Sequence, residues 1–283
     1  MSTLFDTDEP EMTTKALAPW MGSNRMLAPI VGQELRGCEW AGVPFAGGMA
    51  EVFEIKARAI LVNDLHKDII NLAMVVAGDE DRAWLIAEAE INPFHPEMLT
   101  RAQKFCTETY TDKMPDRYRA IAYFVAVWMG RSGKAGTDDE FKGNLSSRFT
   151  ASGGGSNVRY RSAIASLDAF AVTLKRCEFS VLDFREFLAK CHDRKGHGLY
   201  CDAPFPGVGD GYKHKFTTKD HHDLAAKLAT FYQTRVVIRY YDHPMIRELY
   251  PTSRWTWRQL KGRDQANNPD KEEVLIINGP SYA

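Results

Sequence analysis

The sequence has no surplus of either charge. It carries 36 Lys and Arg against 37 Asp and Glu, a formal net charge of −1 over 283 residues. That excludes a uniformly basic nucleic-acid coat but not a local basic face, because phosphate contact depends on where the charge lies. Cysteines are few: Cys38, Cys106, Cys177, Cys191 and Cys201 are odd in number and never spaced CxxC. They read as reduced thiols of a cytosol-like compartment rather than a disulfide frame. No run approaches the roughly 18 apolar residues of a membrane span. The start, with Asp6, Asp8, Glu9 and Glu11, lacks the basic and apolar regions of a signal peptide. A soluble intracellular protein is expected. Also missing are GxSxG, HExxH, a P-loop GK[ST], helix-turn-helix and zinc-finger signals. Cys191, His192, His197 and Cys201 match no usual zinc spacing, so no metal is expected.

What is present is an ordinary globular mixture, 44% hydrophobic and 26% charged, long enough for one large domain or one domain with a substantial insertion. The chain is organised around Leu199-Tyr200-Cys201-Asp202-Ala203-Pro204-Phe205. A strand-like lead-in ends in an acid, a small residue, a proline and an aromatic. This sets a carboxylate at the carboxyl end of a strand, with a stiff turn and an exposed ring beyond it. In an open α/β sheet that edge is where ligands bind. A carboxylate, a turn carbonyl and a flat ring can hold a flipped-out base.

Upstream, Ala16 to Arg25 is an apolar entry, a turn and a polar helix start containing Pro19-Trp20-Met21-Gly22-Ser23-Asn24. A strand over 38–45 runs into Pro44-Phe45-Ala46-Gly47-Gly48 and a helix, a turn in which the backbone can approach a ligand closely. A second strand, 57–62, ends in Asn63-Asp64-Leu65; its acid is placed for ribose hydroxyls, or to cap the helix 65–77. Residues 79–130 read as helical.

From 130 to 160 the pattern dissolves into Gly, Ser, Lys, Arg and Asn. A flexible linker is one reading. The other is groove and phosphate contact by Arg131, Lys134, Lys142, Arg148, Arg159 and Arg161, with Asn144 and Phe149 between them. A helix over 162–174, a strand over 178–182 ending at Asp183-Phe184, and a helix to Cys191 precede the Asp202 run. After it come a Gly-rich loop with Tyr212 and Lys213, a helix over 218–231 and a strand over 235–240. His221 and His222 read as surface polar residues. Residues 255–262 read as a basic loop and 273–277 as a last strand. Arg235, Arg239, Arg247, Arg254, Arg258, Lys261 and Arg263 make this end a second candidate phosphate surface.

The order of these stretches, closing with Glu273-Val274-Leu275-Ile276-Ile277-Asn278, resembles the Dam-like class of DNA adenine-N6 methyltransferases, over residues 16–278. The resemblance implies an α/β fold: a Rossmann-like class I methyltransferase sheet with a mainly helical and loop target-recognition insertion. It assigns 15–69 and 166–283 to the catalytic domain and 70–165 to DNA reading. It implies S-adenosylmethionine as cofactor and double-stranded DNA as partner, in a monomer or weak dimer. A cytoplasmic protein of a prokaryote, phage or mobile element is expected.

By the same resemblance, cofactor-binding positions are Trp20, Met21, Gly22, Asn24, Arg25, Pro44, Phe45, Ala46, Gly47, Gly48, Asp64, Leu65, Asp183, Phe184 and Asp202. Trp20 would pack near the methionine end, Asp64 would hold the ribose and Asp183-Phe184 would contact the cofactor adenine. Asp202, Ala203, Pro204 and Phe205 would be catalytic. Arg131, Lys134, Asn144, Arg148, Arg159, Arg161, Tyr212 and Lys213 would touch DNA. The chain departs from the family pattern in three places: Ala203 for the first proline of the catalytic run, Ser23-Asn24 for Gly-Lys, and Val43 for an acid. Two alternatives stand beside this reading: a catalytically impaired relative that only binds DNA, and a methyltransferase of the same fold acting on RNA.

Overall fold

The computed structural model describes residues 14–23, 26–108, 113–131, 134–146, 155–207, 212–260 and 272–283. Seven strands form one sheet among them: β1 (Trp40–Val43), β2 (Ala59–Asn63), β3 (Cys177–Ser180), β4 (His197–Cys201), β5 (Arg235–Tyr241), β6 (Thr256–Gln259) and β7 (Glu273–Ile277). Their order is β3-β2-β1-β4-β5-β7-β6. All run parallel except β7, which is antiparallel to both neighbours.

The strands are near-continuous apolar runs because both faces are covered, as parallel sheets require. Side chains alternate between two cores. On β5 and β7, Val236, Ile238, Val274 and Ile276 point to one core and Val237, Leu275 and Ile277 to the other. The first core is built with α1 (Ala28–Glu34), α2 (Ala50–Glu54), α3 (Lys67–Ala77), α4 (Asp79–Ile91), α5 (Pro96–Glu108), α6 (Arg117–Met129), α7 (Ser156–Ala165) and α8 (Leu167–Leu174). The second is covered by α9 (Phe184–Lys190), α10 (Thr218–Leu228) and α11 (Pro244–Leu249).

Helix α6 is apolar nearly all round, which suits a helix buried among others; Ala120 and Tyr123 through Met129 are all buried. Two polar ties fix it to α3. Asn71 and Asp116 exchange side-chain and backbone hydrogen bonds at 2.8 and 2.7 Å. Arg119 grips Asp68 with two nitrogens at 2.7 and 2.8 Å. The α4–α7 helices therefore share one core with the sheet.

Several local expectations change. The helix expected over 162–174 is two helices meeting at Ser166, whose buried hydroxyl accepts the backbone N–H of Thr14 at 2.9 Å. The basic loop expected from 255 contains the edge strand β6, drawn into the sheet by pairing with β7. Helix α11, absent from the sequence reading, begins with His243 as cap and Pro244 at its first turn. His221 is buried, not on the surface: its Nδ1 meets the Tyr240 hydroxyl at 2.9 Å, and burial pushes its pKa down to about 4. Among the described residues no helix is long and apolar enough to cross a membrane.

Candidate active site

The sheet order reverses beside β1: the chain passes from β1 outward through β2 to β3, then returns to β4 on the other side of β1. Loops leaving β1 and β4 part there and open a crevice, the usual ligand position in such sheets. The crevice holds about 300 Å³. It is lined by Trp20, Met21, Gly22, Pro44, Phe45, Ala46, Gly47, Gly48, Asp64, Leu65, Asp183, Phe184 and Asp202, and by Ala203, Pro204 and Phe205. The stretches singled out in the sequence thus converge on one cleft. Asn24 and Arg25 lie outside the described residues.

Asn63 ties the strand ends that shape this cleft. Its Nδ2 donates to the Pro44 and Leu182 carbonyls, both at 2.9 Å. Its Oδ1 accepts from Ser180 Oγ and Leu182 N–H, both at 2.8 Å. That fills the donors and lone pairs of a buried amide and joins the ends of β1, β2 and β3. Next to it, Asp64 accepts the N–H of Gly47 at 2.8 Å and of His66 at 2.9 Å. The Gly-Gly turn serves the chain's own packing: a Cβ on Gly48 would lie 2.6 Å from the Ala18 carbonyl, and one on Gly47 would lie 3.1 Å from the Trp20 ring. Met49 follows in the left-handed region, φ 65°. A non-glycine residue there costs roughly 1–2 kcal/mol, and the bend starts α2 so that Glu51 lines the cleft.

The acid floor of the cleft follows from strand register. Cys201 pairs with Ile238, so the next residues, Asp202 and Arg239, come side by side. Arg239 Nη1 donates to Asp202 Oδ2 at 2.9 Å and to the Gly22 carbonyl at 3.1 Å. Its Nε and Nη2 donate to Glu273 Oε2 at 3.2 and 3.1 Å. The Tyr200 hydroxyl donates to Asp202 Oδ2 at 3.4 Å. Glu51 completes the group, buried, with Oε1 lacking any hydrogen-bond partner. Three carboxyls therefore share one guanidinium. Burial, aided by the neighbouring Asp202 charge, pushes the Glu51 pKa up to about 7. Burial also raises Asp202, against the pull of Arg239.

Phe205 departs from its expected exposure. It is only 8% exposed, with Tyr241 edge-on at 4.5 Å and the Arg239 guanidinium 5.3 Å from its ring centre. A second aromatic group lines the cleft, where half-buried Phe45 meets buried Phe184 at 5.8 Å and half-buried Phe216 at 5.7 Å. Asp183 caps α9 by accepting the Arg185 N–H at 2.8 Å, and its carboxylate pairs with the Arg185 side chain at 3.2 Å. His66 faces both Glu140 oxygens at 2.9 Å. His66, Asp68 and Glu140 cluster, but Arg119 occupies Asp68, and His66, Lys213 and the Gly136 N–H occupy Glu140. The cluster is a structural network, not an open set of metal ligands.

Of the residues read as DNA contacts, Arg131, Lys134 and Asn144 gather with Lys142 around one shallow polar hollow. Arg161 is exposed on α7. Arg159 turns inward over the Trp128 ring at 5.5 Å. Tyr212 belongs to the cleft wall and donates to the Met21 carbonyl at 3.1 Å, while Lys213 pairs with Glu140 at 3.3 Å. Arg148 lies outside the described residues, as do Phe149, Lys261 and Arg263. Among the described residues, the basic carboxyl-terminal end is largely spent on internal pairing: Arg235 and Arg258 take Glu34, Arg239 takes Asp202 and Glu273, and Arg247 takes Asp242.

Sequence reasoning missed Glu51 and read Arg239 as part of a phosphate surface, whereas both line the cleft. A buried acid in the first turn after the Gly-Gly turn, and an arginine inside an apolar strand, were the available signals.

Residues 20–261 match a family model described as D12 class N6 adenine-specific DNA methyltransferase. The chain is also similar to the Retron Ec67 DNA adenine methylase of Escherichia coli, with 27% identity over 270 residues, covering 92% of this chain and 90% of that protein.

Proposed function

The chain belongs to the D12 class of N6 adenine-specific DNA methyltransferases, and from that premise we propose that the cleft binds S-adenosylmethionine and receives an adenine turned out of duplex DNA. The observation that carries this is the convergence of the Trp20 turn, the Pro44–Gly48 turn, Asp64 and the Asp202 run on one cleft at the point where the sheet order reverses.

The lining suits the cofactor. Phe45, Phe184 and Phe216 offer an apolar wall for a purine. Asp64, with both oxygens oriented by backbone N–H groups, keeps acceptor capacity for a ribose diol. The acid floor, with Asp202 and the unpartnered Glu51 Oε1, suits a cationic ligand. When bound, the cofactor supplies a methyl group on an electrophilic sulfonium.

The protein's part is positioning. The adenine amino lone pair is delocalised into the ring, so the nitrogen needs help to become a nucleophile. Asp202 Oδ2 is committed to Arg239 and Tyr200, which fixes the carboxyl and leaves Oδ1 as acceptor for one amino hydrogen. The Ala203 backbone carbonyl accepts the other, so the missing proline costs turn rigidity rather than an acceptor. Two such bonds favour a pyramidal nitrogen, held in line for displacement. Arg239 also supplies a buried cation at the Trp20–Gly22 turn, where the family pattern has a lysine two residues beyond Gly22. Turning the base out costs a few kcal/mol, which pocket contacts must offset.

Residues 15–69 and 166–283 form the catalytic part in this reading, and 70–165 read DNA. Arg131, Lys134 and Asn144 around their hollow, with exposed Arg161, offer phosphate and groove contacts. The protein acts in a reducing cytoplasm, consistent with its five free cysteines.

The test is methyl-labelled S-adenosylmethionine with unmethylated duplex DNA and, in parallel, duplex RNA, each digested to nucleosides. Label in N6-methyldeoxyadenosine is expected. Label in RNA alone, or in another nucleoside, overturns the reading.

A further inference from the structure

Glu51 faces the cleft with one carboxyl oxygen unsatisfied. It lies in the first turn of α2, with 7% of its surface exposed, and it lines the cleft. One of its carboxyl oxygens, Oε1, is buried without a hydrogen-bond partner. A buried, unsatisfied polar atom is costly, and a buried unpaired charge costs more. The groups that face it are Tyr200 and Asp202, from β4 and its end, and Arg239, from β5. Arg239 is already shared between Asp202 and Glu273, so it cannot neutralise a third carboxylate. An ionised Glu51 would set a further negative charge against Asp202, and holding a proton avoids that.

A ligand that brings positive charge reverses the balance. Under the function proposed above, on which this inference rests, the sulfonium must lie against the amino group held at Asp202. Asp202 is the acid that faces Glu51. Glu51 therefore sits at the reacting end of the cleft. We propose that Glu51 carries a proton in the empty cleft and releases it to solvent when the sulfonium of the methyl donor binds, so that the enzyme tells the cationic donor from its neutral thioether product by charge.

The raised pKa of Glu51, about 7, places the exchange near neutrality. Linkage then makes donor binding pH-dependent: a site that must lose a proton to bind gains affinity as pH rises to the free-state pKa, and levels off above it. Affinity for the donor is expected to rise about tenfold between pH 6 and pH 8. Affinity for S-adenosylhomocysteine, which lacks the sulfonium charge, changes little by this route. Product release is thereby favoured once the methyl group has left, because the cleft no longer holds the charge that kept Glu51 ionised.

The experiment is titration calorimetry of the full chain near pH 6.5, in two buffers of different ionisation enthalpy. The probes are S-adenosylmethionine and S-adenosylhomocysteine. The parent protein should release a substantial fraction of a proton per donor bound and close to none per product bound. Glu51→Gln, isosteric and always neutral, should remove that release and flatten the pH dependence of the donor-to-product affinity ratio. Glu51→Met should do the same, and thermal unfolding in the same buffers shows that each variant is folded. Equal proton release by parent and variants would overturn the proposal. Equal release with both ligands would overturn it too, since the amino-acid end would then be what Glu51 senses. Failure of both ligands to bind the parent at any pH would instead overturn the cofactor reading beneath it. Tight binding without proton release would leave that reading standing and remove Glu51 from it.

Discussion

Strand β5 carries an arginine near each end, and the two have opposite surroundings. At the amino end, Arg235 donates to the Glu34 carbonyl at 2.8 Å and also grips its carboxylate. Glu34 is fully buried but richly served: Arg258, the Ser281 hydroxyl and the N–H groups of Tyr282 and Ala283 also donate to it. Burial works to raise its pKa, and the bonds from Ser281, Tyr282 and Arg235 more than reverse that. At the carboxyl end, Arg239 pairs with both Asp202 and Glu273, beside a Glu51 whose Oε1 has no hydrogen-bond partner. One strand thus ends in a saturated knot and in a deficit. A saturated buried acid is a structural fastening, whereas an unsaturated one at a cleft is held in readiness for a ligand.

Removing the cation from each end should separate these roles. Arg239→Met takes the shared cation away from Asp202 and Glu273, next to Glu51, and breaking a buried pair in this way typically costs about 3–5 kcal/mol. Urea unfolding should show that loss, and methyl transfer should fall to background in whatever remains folded. Arg235→Met should cost less, about 1–3 kcal/mol, because Glu34 keeps its other donors. Transfer per folded molecule should stay at the parent level. Equal loss of activity in both variants would erase the distinction between the two ends.

The pH dependence of unliganded stability should differ in sign. The Glu51 pKa is higher in the folded chain, about 7 against an ordinary 4.5. The folded state therefore binds more protons than the unfolded state across that window, and stability falls as pH rises through it. Glu51→Gln removes this fall and should gain on the parent between pH 5 and pH 8, by on the order of 1–3 kcal/mol. The Glu34 pKa is lower in the folded chain. Its contribution is full above the ordinary glutamate range and is lost as pH drops through the folded value, so Glu34→Gln should flatten the acid limb. Thermal unfolding across pH 3 to 8 tests both.

These two ends also mark what the sequence could disclose. The Pro44–Gly48 turn, Asn63-Asp64 and the Asp202 run were legible because each is contiguous, with an apolar strand running into small or acidic residues. Their meeting in one cleft follows from sheet order. Arg239 and Glu51 were not legible as a pair, because 188 residues and three intervening strands separate them in sequence, and only the register of β4 against β5 brings Arg239 to Asp202. Along the chain Arg239 looked like one of several basic residues facing phosphate. His221 was misread for a similar reason: polar and next to His222, it showed nothing of the Tyr240 hydroxyl it meets across the second core. Residues 256–259 looked like a loop because an edge strand needs its partner to declare itself.

The smallest effects belong to the outer hollow, which contrasts with both buried clusters. Arg131→Ala and Lys134→Ala should leave stability within about 0.5 kcal/mol. Each should weaken DNA binding across sequences and lower the salt slope of binding by about one. An unchanged salt slope in both would remove the hollow from the DNA-facing surface.

The most direct test of the cleft as the methylating site is single-turnover transfer to duplex DNA by Asp202→Ala, with donor binding and thermal unfolding measured on the same preparation. Formation of N6-methyldeoxyadenosine should fall by about 10²–10³ or more while the chain remains folded and still binds the donor. Formation at the parent rate would mean that the amino group is held elsewhere, and would contradict the account.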